Sequence, residues 1–368
     1  MNEIPLVDLG WQHSQVYGEV EAGWNRVTSS SSYILGPELE KFEQEFARYV
    51  GVQHCVGVGN GTDALELALR GLGIGSGDDV IVPANSFVAS ALAVLRAGAN
   101  PVLVDVDPTS YLVDLEGVAS AITSRTRAIM PVHLYGQLVP LEDIDHIVEG
   151  GRITILEDGA QAHGARRHGE AMGHHSQAAA TSFYPGKNLG AYGDGGAILT
   201  DSSALAERLG RLRNLGTAAK YHHPEVGFNS RLDSLQAVVL SAKLKHLDAW
   251  NDLRRAAANR YVRLLEDLEE VDLPRVLPGN EHNWHLYVVR VPDRDRVRQR
   301  LEDEGIGAGV HYPIPIHLQG GFSYLGYRPG DFPVAERLAG EILSLPIYPG
   351  ITEDNQERVA NCLRKALR

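Results

Sequence analysis

The chain has 368 residues, 43% of them hydrophobic and 22% charged, which excludes a disordered or collagen-like protein and leaves room for about two domains of ~150 residues each. Its two cysteines, Cys55 and Cys362, form no CxxC pair, which excludes a disulfide scaffold and a multi-cysteine zinc site and fits a reducing compartment. A formal net charge of −13 argues against general binding of nucleic acid or anionic membrane, whereas a small anionic substrate stays compatible because local charge decides that.

The start, Met1-Asn-Glu-Ile-Pro5, lacks a basic segment followed by an apolar one, so no targeting signal is expected. The four serines at 29–32 are too short to be a linker, and no internal repeat is present. From about residue 56 to 201, short β-rich runs at 80–82, 101–105, 128–132, 153–157, 180–183 and 196–200 alternate with helix-like segments at 87–98, 115–122 and 141–149. The longest apolar run, near 87–95, is cut by Arg96 and is too short to span a bilayer. A soluble cytoplasmic protein is the expectation. The β runs are apolar without strict alternation, the pattern of strands buried on both faces, and their alternation with helices predicts a largely parallel sheet. Ligands of such sheets sit at the carboxyl ends of the strands.

A long helical pattern at 234–268, with Leu235, Val238, Val239, Ala242, Leu247 and Trp250 at helical spacing, predicts a link between two domains. A strand at 286–291, a polar helix at 294–304 and a terminal helix at 353–367 predict a smaller α+β domain. Prolines at 313, 315, 329, 333, 346 and 349 mark irregular loops in it. The expected division is a large domain over 1–245 and a small one over 246–368.

Three segments carry chemistry. Gly57-Val-Gly-Asn-Gly-Thr-Asp-Ala-Leu65 leads glycines into a helix whose first turn holds Thr62 and Asp63. Free N–H groups at a helix start beside a hydroxyl suit a phosphate. It is no dinucleotide fingerprint, because the third glycine would fall at Thr62, and it lacks the Gly-Lys-Ser/Thr of a P-loop. Taken alone, it reads first as a capped helix after a tight turn. Ile155-Leu-Glu-Asp-Gly-Ala-Gln-Ala-His-Gly164 ends a hydrophobic strand in Glu157 and Asp158. One carboxylate there could hold a protonated ring nitrogen; a helix cap or structural ion pair explains it equally. Ser182-Phe-Tyr-Pro-Gly-Lys-Asn-Leu-Gly190 puts Lys187 in a glycine-flanked loop after a strand. A lysine kept from bulk water becomes a nucleophile, although a lone lysine is most often a solvated surface charge. Together the three supply what pyridoxal phosphate needs: N–H donors for its phosphate, an anion for its ring nitrogen and a lysine for its aldehyde.

These motifs resemble the fold-type-I pyridoxal-phosphate enzymes, and more closely the DegT/DnrJ/EryC1/StrS sugar aminotransferase family. The likeness runs from Ile4-Pro-Leu-Val-Asp8 to the C-terminal helix and is most specific at Gly59–Leu65, Glu157–Gly164, Ser182–Lys187 and Gly227-Phe-Asn-Ser-Arg-Leu-Asp233. It implies an aspartate-aminotransferase-like α/β fold, a large domain with a mostly parallel mixed sheet and a smaller α+β C-terminal domain. Lys187 would hold pyridoxal phosphate as a Schiff base, Asp158 would pair with the pyridinium nitrogen, and Gln161 would bond the ring 3-oxygen. Phe87 would stack on the ring, unless it is simple core packing. Gly61, Thr62 and Ser182 would bind the phosphate, and Asn229 would reach the phosphate of the neighbouring subunit, making the active unit a homodimer.

The Tyr184-Pro-Gly-Lys187-Asn188-Leu189-Gly190 context, with Lys220-Tyr-His-His223, resembles the subgroup that aminates dTDP-3-keto-6-deoxyhexoses. The resemblance then places Tyr184, Lys220, Tyr221, His222, His311 and Tyr312 by the sugar; His311 and Tyr312 also read as a strand-end cluster against adjacent prolines. It implies glutamate as amino donor, pyridoxamine phosphate between the two half-reactions, and a dTDP-3-amino-3,6-dideoxyhexose as product. Arg231 is the candidate for the donor carboxylate. A 4-keto-sugar aminotransferase of the same family is the alternative. A sugar dehydratase of this fold would carry a histidine in place of Lys187. A regulator with an aminotransferase-like core would carry a DNA-binding segment in front, for which the first 50 residues offer neither room nor basic charge. The failed glycine spacing disfavours a nicotinamide dehydrogenase. No metal is expected: His174-His175 and His222-His223 are adjacent pairs without completing ligands.

Overall fold

A computed structural model describes residues 3–148 and 151–368. Met1 and Asn2 of the predicted signal-free start, and Glu149 at the end of a predicted helix, lie outside the described residues. Helix α1, Leu9–Ser30, is capped by Asp8, whose carboxylate accepts from the Trp11 N–H at 3.1 Å. Helix α2, Pro37–Val50, starts on a proline and stops at Gly51 in the left-handed region, φ 93°. There follow β1 (His54–Val58), α3 (Gly61–Gly71), β2 (Asp79–Pro83), α4 (Ala89–Ala97), β3 (Asn100–Val104), α5 (Leu115–Ala121), β4 (Thr126–Ile129), α6 (Leu141–Ile147) and β5 (Thr154–Asp158). The short β6 (Arg166–Arg167), then β7 (Ala178–Ser182), β8 (Gly196–Thr200) and α7 (Ser203–Leu212) complete the first half.

Among the described residues these strands make a seven-stranded sheet in the order β1-β8-β7-β5-β4-β2-β3. The neighbours from β7 to β3 pair in parallel, and β8 alone runs against both of its neighbours. β2 and β8 are buried at every position, because helices cover both faces. The chain winds outward from β2 to β3, then jumps back over β2 to β4 and continues to β5 and β7. Between β2 and β4 the winding reverses, and the carboxyl ends there leave a crevice.

The predicted helix over 234–268 is two helices, α8 (Ser234–Leu244) and α9 (Leu247–Leu265), broken at Lys245-His246. The break follows from their two environments: Ala237, Leu240 and Leu244 of α8 pack in the core of α2 and the sheet, whereas Ala258, Tyr261 and Leu265 of α9 belong to a separate core. That second core gathers α9, β10 (Tyr287–Arg290), α10 (Arg294–Asp303), β11 (Ile342–Leu345) and α12 (Glu353–Ala366). β10 and β11 pair antiparallel, β9 (Asn280–Glu281) pairs with β6, and α11 (Pro333–Glu341) leads into β11. Ile4 joins this second core and pairs with Ile306. Cys55 and Cys362 are free thiols. Among the described residues no helix is long and apolar enough to cross a membrane.

Candidate active site

The carboxyl ends of β1, β2, β4, β5 and β7 open onto one cavity of about 800 Å³. Because β8 runs the other way, its amino end brings Asp194 to the same rim. Gly61, Thr62, Phe87, Asp158, Gln161, Ser182, Tyr184, Lys187, His311 and Tyr312, singled out in five separate stretches of sequence, all line this cavity.

Helix α3 starts here. Its cap, Asn60, accepts from the Asp63 N–H through Oδ1 at 2.8 Å, which leaves the first-turn N–H groups of Gly61 and Thr62 to the cavity those residues line. Gly61 lies so close to the end of β7 that an added Cβ would sit 2.5 Å from the Ser182 Cβ and 3.1 Å from its Cα. Gly196 is equally constrained, since a Cβ there would lie 2.5 Å from the Asn60 carbonyl carbon. Asp63 is tied down by the Ser230 hydroxyl at 2.7 Å and by Arg96 at 3.1 Å.

Asp158 ends β5 with only 5% of its surface exposed. Its Oδ2 accepts from the Ser90 hydroxyl at 2.7 Å, Ser90 meets the Ser86 hydroxyl at 2.7 Å, and Oδ1 accepts from the Ala160 N–H at 3.2 Å. Gln161 accepts the Tyr135 N–H at 2.6 Å through Oε1. That contact fixes the amide, so Nε2 is the group that donates to the Tyr312 hydroxyl at 3.3 Å.

Lys187 sits on a pinned loop. Its N–H donates to the Tyr184 carbonyl at 2.9 Å, Asn188 donates to Asn251 Oδ1 at 2.8 Å, and the buried Lys243 ammonium donates to the Gly190 carbonyl at 2.6 Å. Burial lowers the Lys187 ammonium from an ordinary 10.5 to about 8, and the Asp158 carboxylate pulls the other way. Burial and the nearby Lys187 charge also hold His163 down at about 3 and His311 at about 4. His311 Nδ1 lies 2.8 Å from the Ser344 hydroxyl. The Phe87 and Tyr312 rings, both on the cavity lining, contact each other with centroids 5.4 Å apart, and Phe87 is 52% exposed, so it is cavity wall and not core packing.

Asn229, Lys220, Tyr221 and His222 do not line this cavity. Asn229 is exposed and its backbone bridges to Asn214. Tyr221 is 87% exposed, Lys220 stands over its ring at 5.3 Å, and His222 turns back on Ala219. Arg231 donates to Asn214 Oδ1 at 2.9 Å, also away from the cavity. Arg96 is the arginine on the cavity lining, and it is engaged by Asp63 and by Glu66 at 2.7 Å. Sequence reasoning missed Ser90, Tyr135 and Asp194. Ser90 and Tyr135 act through partners 68 and 26 residues away, which no local pattern announces; Asp194 had a signal, its place in the Gly193-Asp-Gly-Gly196 turn. Among the described residues no group of three or more His, Cys, Asp or Glu is placed to hold a metal ion.

Residues 17–364 match the DegT/DnrJ/EryC1/StrS aminotransferase family. The chain is 47% identical over 98% of its length to the dTDP-3-amino-3,4,6-trideoxy-alpha-D-glucose transaminase of Streptomyces venezuelae, covering 96% of that protein. It is 45% identical over 98% of its length to the dTDP-3-amino-3,6-dideoxy-alpha-D-galactopyranose transaminase of Aneurinibacillus thermoaerophilus, covering 99% of it. Among solved structures, S. venezuelae DesV in complex with a ketimine intermediate superposes with a TM-score of 0.98 at 46% identity, with 100% of both chains covered.

Proposed function

The chain belongs to the DegT/DnrJ/EryC1/StrS aminotransferase family, and from that premise we propose that it moves the amino group of glutamate to C3 of a dTDP-linked 3-keto-6-deoxyhexose, giving a dTDP-3-amino-3,6-dideoxyhexose. The observation that carries the amino-transfer chemistry is one cavity in which Lys187, held at about 8 by burial, faces Asp158 and the start of α3. The 3-position is supported by the 3-amino-sugar transaminases to which the chain is similar and by the Tyr184-Pro-Gly-Lys187 context.

The cavity residues fit pyridoxal phosphate, the cofactor of this family. Position 61 tolerates no side chain beside Ser182, the arrangement of a close-fitting phosphate cradle at a helix start. Asp158 is a buried carboxylate oriented by Ser90, suited to a protonated ring nitrogen. Gln161 presents a donor amide, suited to the ring 3-oxygen. Lys187 is the amine that would hold the aldehyde, with Gly61, Thr62 and Ser182 on the phosphate and Phe87 on the ring face. The chemistry supplied by the bound cofactor is amine exchange at an aldehyde carbon and electron withdrawal into a protonated ring.

The chain's own residues do the rest. Lys187 Nζ, once freed from the aldehyde carbon, would take the proton from the donor Cα and pass it to that carbon, and in the sugar half-reaction it would carry a proton from the same carbon to C3. Asp158 keeps a negative charge fixed against the ring nitrogen, so its stabilisation grows where charge develops. Tyr184, His311 and Tyr312 would orient the sugar from the cavity walls. Asn229 with Lys220, Tyr221 and His222 would act on the site of a second copy, a reading supported by their exposure and by their absence from the lining of their own cavity. A cytoplasmic setting is part of the proposal, supported by two free cysteines. Mixing the loaded protein with glutamate alone should release one 2-oxoglutarate per site and then stop. Turnover should resume only on adding a nucleotide-linked 3-keto sugar; silence with 3-keto sugars, or turnover on 4-keto sugars alone, would refute the proposal.

A further inference from the structure

Asp158 turns its side chain into the cavity, and the residue before it on β5 points to the other face of the sheet. That residue, Glu157, is 1% exposed and has no part in the chemistry above. Its Oε1 accepts from the Gly173 N–H at 2.7 Å and from the Ser176 hydroxyl, and its Oε2 lies 2.6 Å from His133 Nε2. His133 is also 1% exposed. Its other nitrogen, Nδ1, accepts from the Val139 N–H at 3.0 Å. A backbone N–H can only donate, so Nδ1 carries a lone pair and the ring proton sits on Nε2, donated to Glu157.

The same histidine reaches the active site through its backbone. The His133 N–H donates to the Asp158 carbonyl at 3.0 Å, and the Asp158 N–H donates to the Pro131 carbonyl at 2.9 Å. Two residues on, Tyr135 fixes the Gln161 amide through its N–H at 2.6 Å and bonds the His311 carbonyl through its hydroxyl. The segment from Pro131 to Val139 is therefore clamped at one imidazole and touches three cavity residues.

We propose that His133, locked as the Nε2–H tautomer between Glu157 and Val139, is a positioning residue that sets Asp158 and Gln161 toward the cofactor; the proposal rests on the reading of those two as cofactor ligands. The donor pattern admits no isosteric amide at position 157. With Glu157→Gln, either the new NH2 faces the His133 Nε2–H or it faces the Gly173 N–H. A switch of His133 to the other tautomer would instead set its Nδ1–H against the Val139 N–H. Each arrangement leaves two buried donors opposed.

The test uses the full chain loaded with pyridoxal phosphate. Nitrogen-15 histidine spectra, with His133→Gln identifying the signal, should show Nδ1 unprotonated and Nε2 protonated in the wild type; a proton on Nδ1, or on both, overturns the proposal. In Glu157→Gln the pH midpoint of the bound cofactor's visible band should move by about one unit or more, and kcat should fall by about 10- to 100-fold, the size of effect that outer hydrogen-bond partners of metal ligands carry. The KM for the sugar should change far less, because no substrate contact is removed. A folded Glu157→Gln protein with the wild-type band midpoint and kcat contradicts the positioning role. Should that variant not fold, Ser176→Ala, which removes one donor from Glu157 and leaves His133 in place, should move the same midpoint by a smaller amount, and an unmoved midpoint contradicts the role. A wild type that gains no visible band with pyridoxal phosphate would refute the cofactor reading instead, a failure the histidine spectra distinguish.

Discussion

In the proposed reaction Lys187 has to be a neutral amine, and the fold supplies that state by burial. With an ammonium held at about 8, about one lysine in ten is neutral at pH 7, against about one in three thousand for an exposed lysine. Competitive labelling of the cofactor-free protein across pH should therefore show Lys187 half-reactive near pH 8. A Lys187 midpoint near 10.5 would mean that the loop holds it in water. The place of Asp158 and Lys187 after strand ends was legible in the sequence, while the roles proposed for them came from the three segments taken together and from the family resemblance. Their settings were not. Ser90 reaches Asp158 across 68 residues and Asn251 reaches Asn188 across 63, and such partners exist only once the chain is folded.

The elements that carry the site were read more completely than those that support it. The six predicted runs at 80–82, 101–105, 128–132, 153–157, 180–183 and 196–200 correspond to β2, β3, β4, β5, β7 and β8, since strands buried on both faces are unbroken apolar stretches. Helix α1 went unread although Gln12, Val16, Val20, Gly23 and Val27 form its buried stripe. Two of those five are not apolar, and Gly18, Gly23 and the terminal serines weaken the helical signal. At α8 and α9 the periodicity continued through a break that two separate cores impose. The start of α3 makes the sharpest element-level prediction. Gly61→Ala places a methyl 2.5 Å from the Ser182 Cβ, so α3 must shift from β7. Cofactor affinity should fall by about ten-fold or more, the cost of losing one or two hydrogen bonds to a charged phosphate, with far-UV circular dichroism unchanged. Equal affinity in an equilibrium dialysis measurement would remove the phosphate from this position.

At the scale of the whole molecule, the buried His163 and His282 are held at about 3, the half-buried His311 at about 4, and the buried His285 well below its ordinary range. Burial is the main cause in each case. In the unfolded chain they titrate near 6.5, so between about 4 and 6.5 the unfolded state binds more protons, and stability falls as pH falls through that window. Their full contribution is present above 6.5. Each such proton is worth about 1.4 kcal/mol per pH unit, so Tm should drop steeply from pH 6.5 to pH 5; a Tm constant over that range would contradict the burial of these rings. The sharing of sites between two copies is tested by mixing. Lys187→Ala chains and Asn229→Ala chains, dissociated and reassembled together, should recover activity in about a quarter of sites, because half the dimers are mixed and each mixed dimer has one intact site. Activity no higher than the mean of the two variants, in a sample containing mixed dimers, would rule out sharing through Asn229. The claim on which everything else depends is amino transfer to C3, and the most direct measurement is the position of nitrogen in the product. With nitrogen-15 glutamate and dTDP-linked 3-keto- and 4-keto-6-deoxyhexoses offered together, NMR of the purified product should show the labelled nitrogen coupled to C3. Label at C4, or no labelled sugar at all, would contradict it.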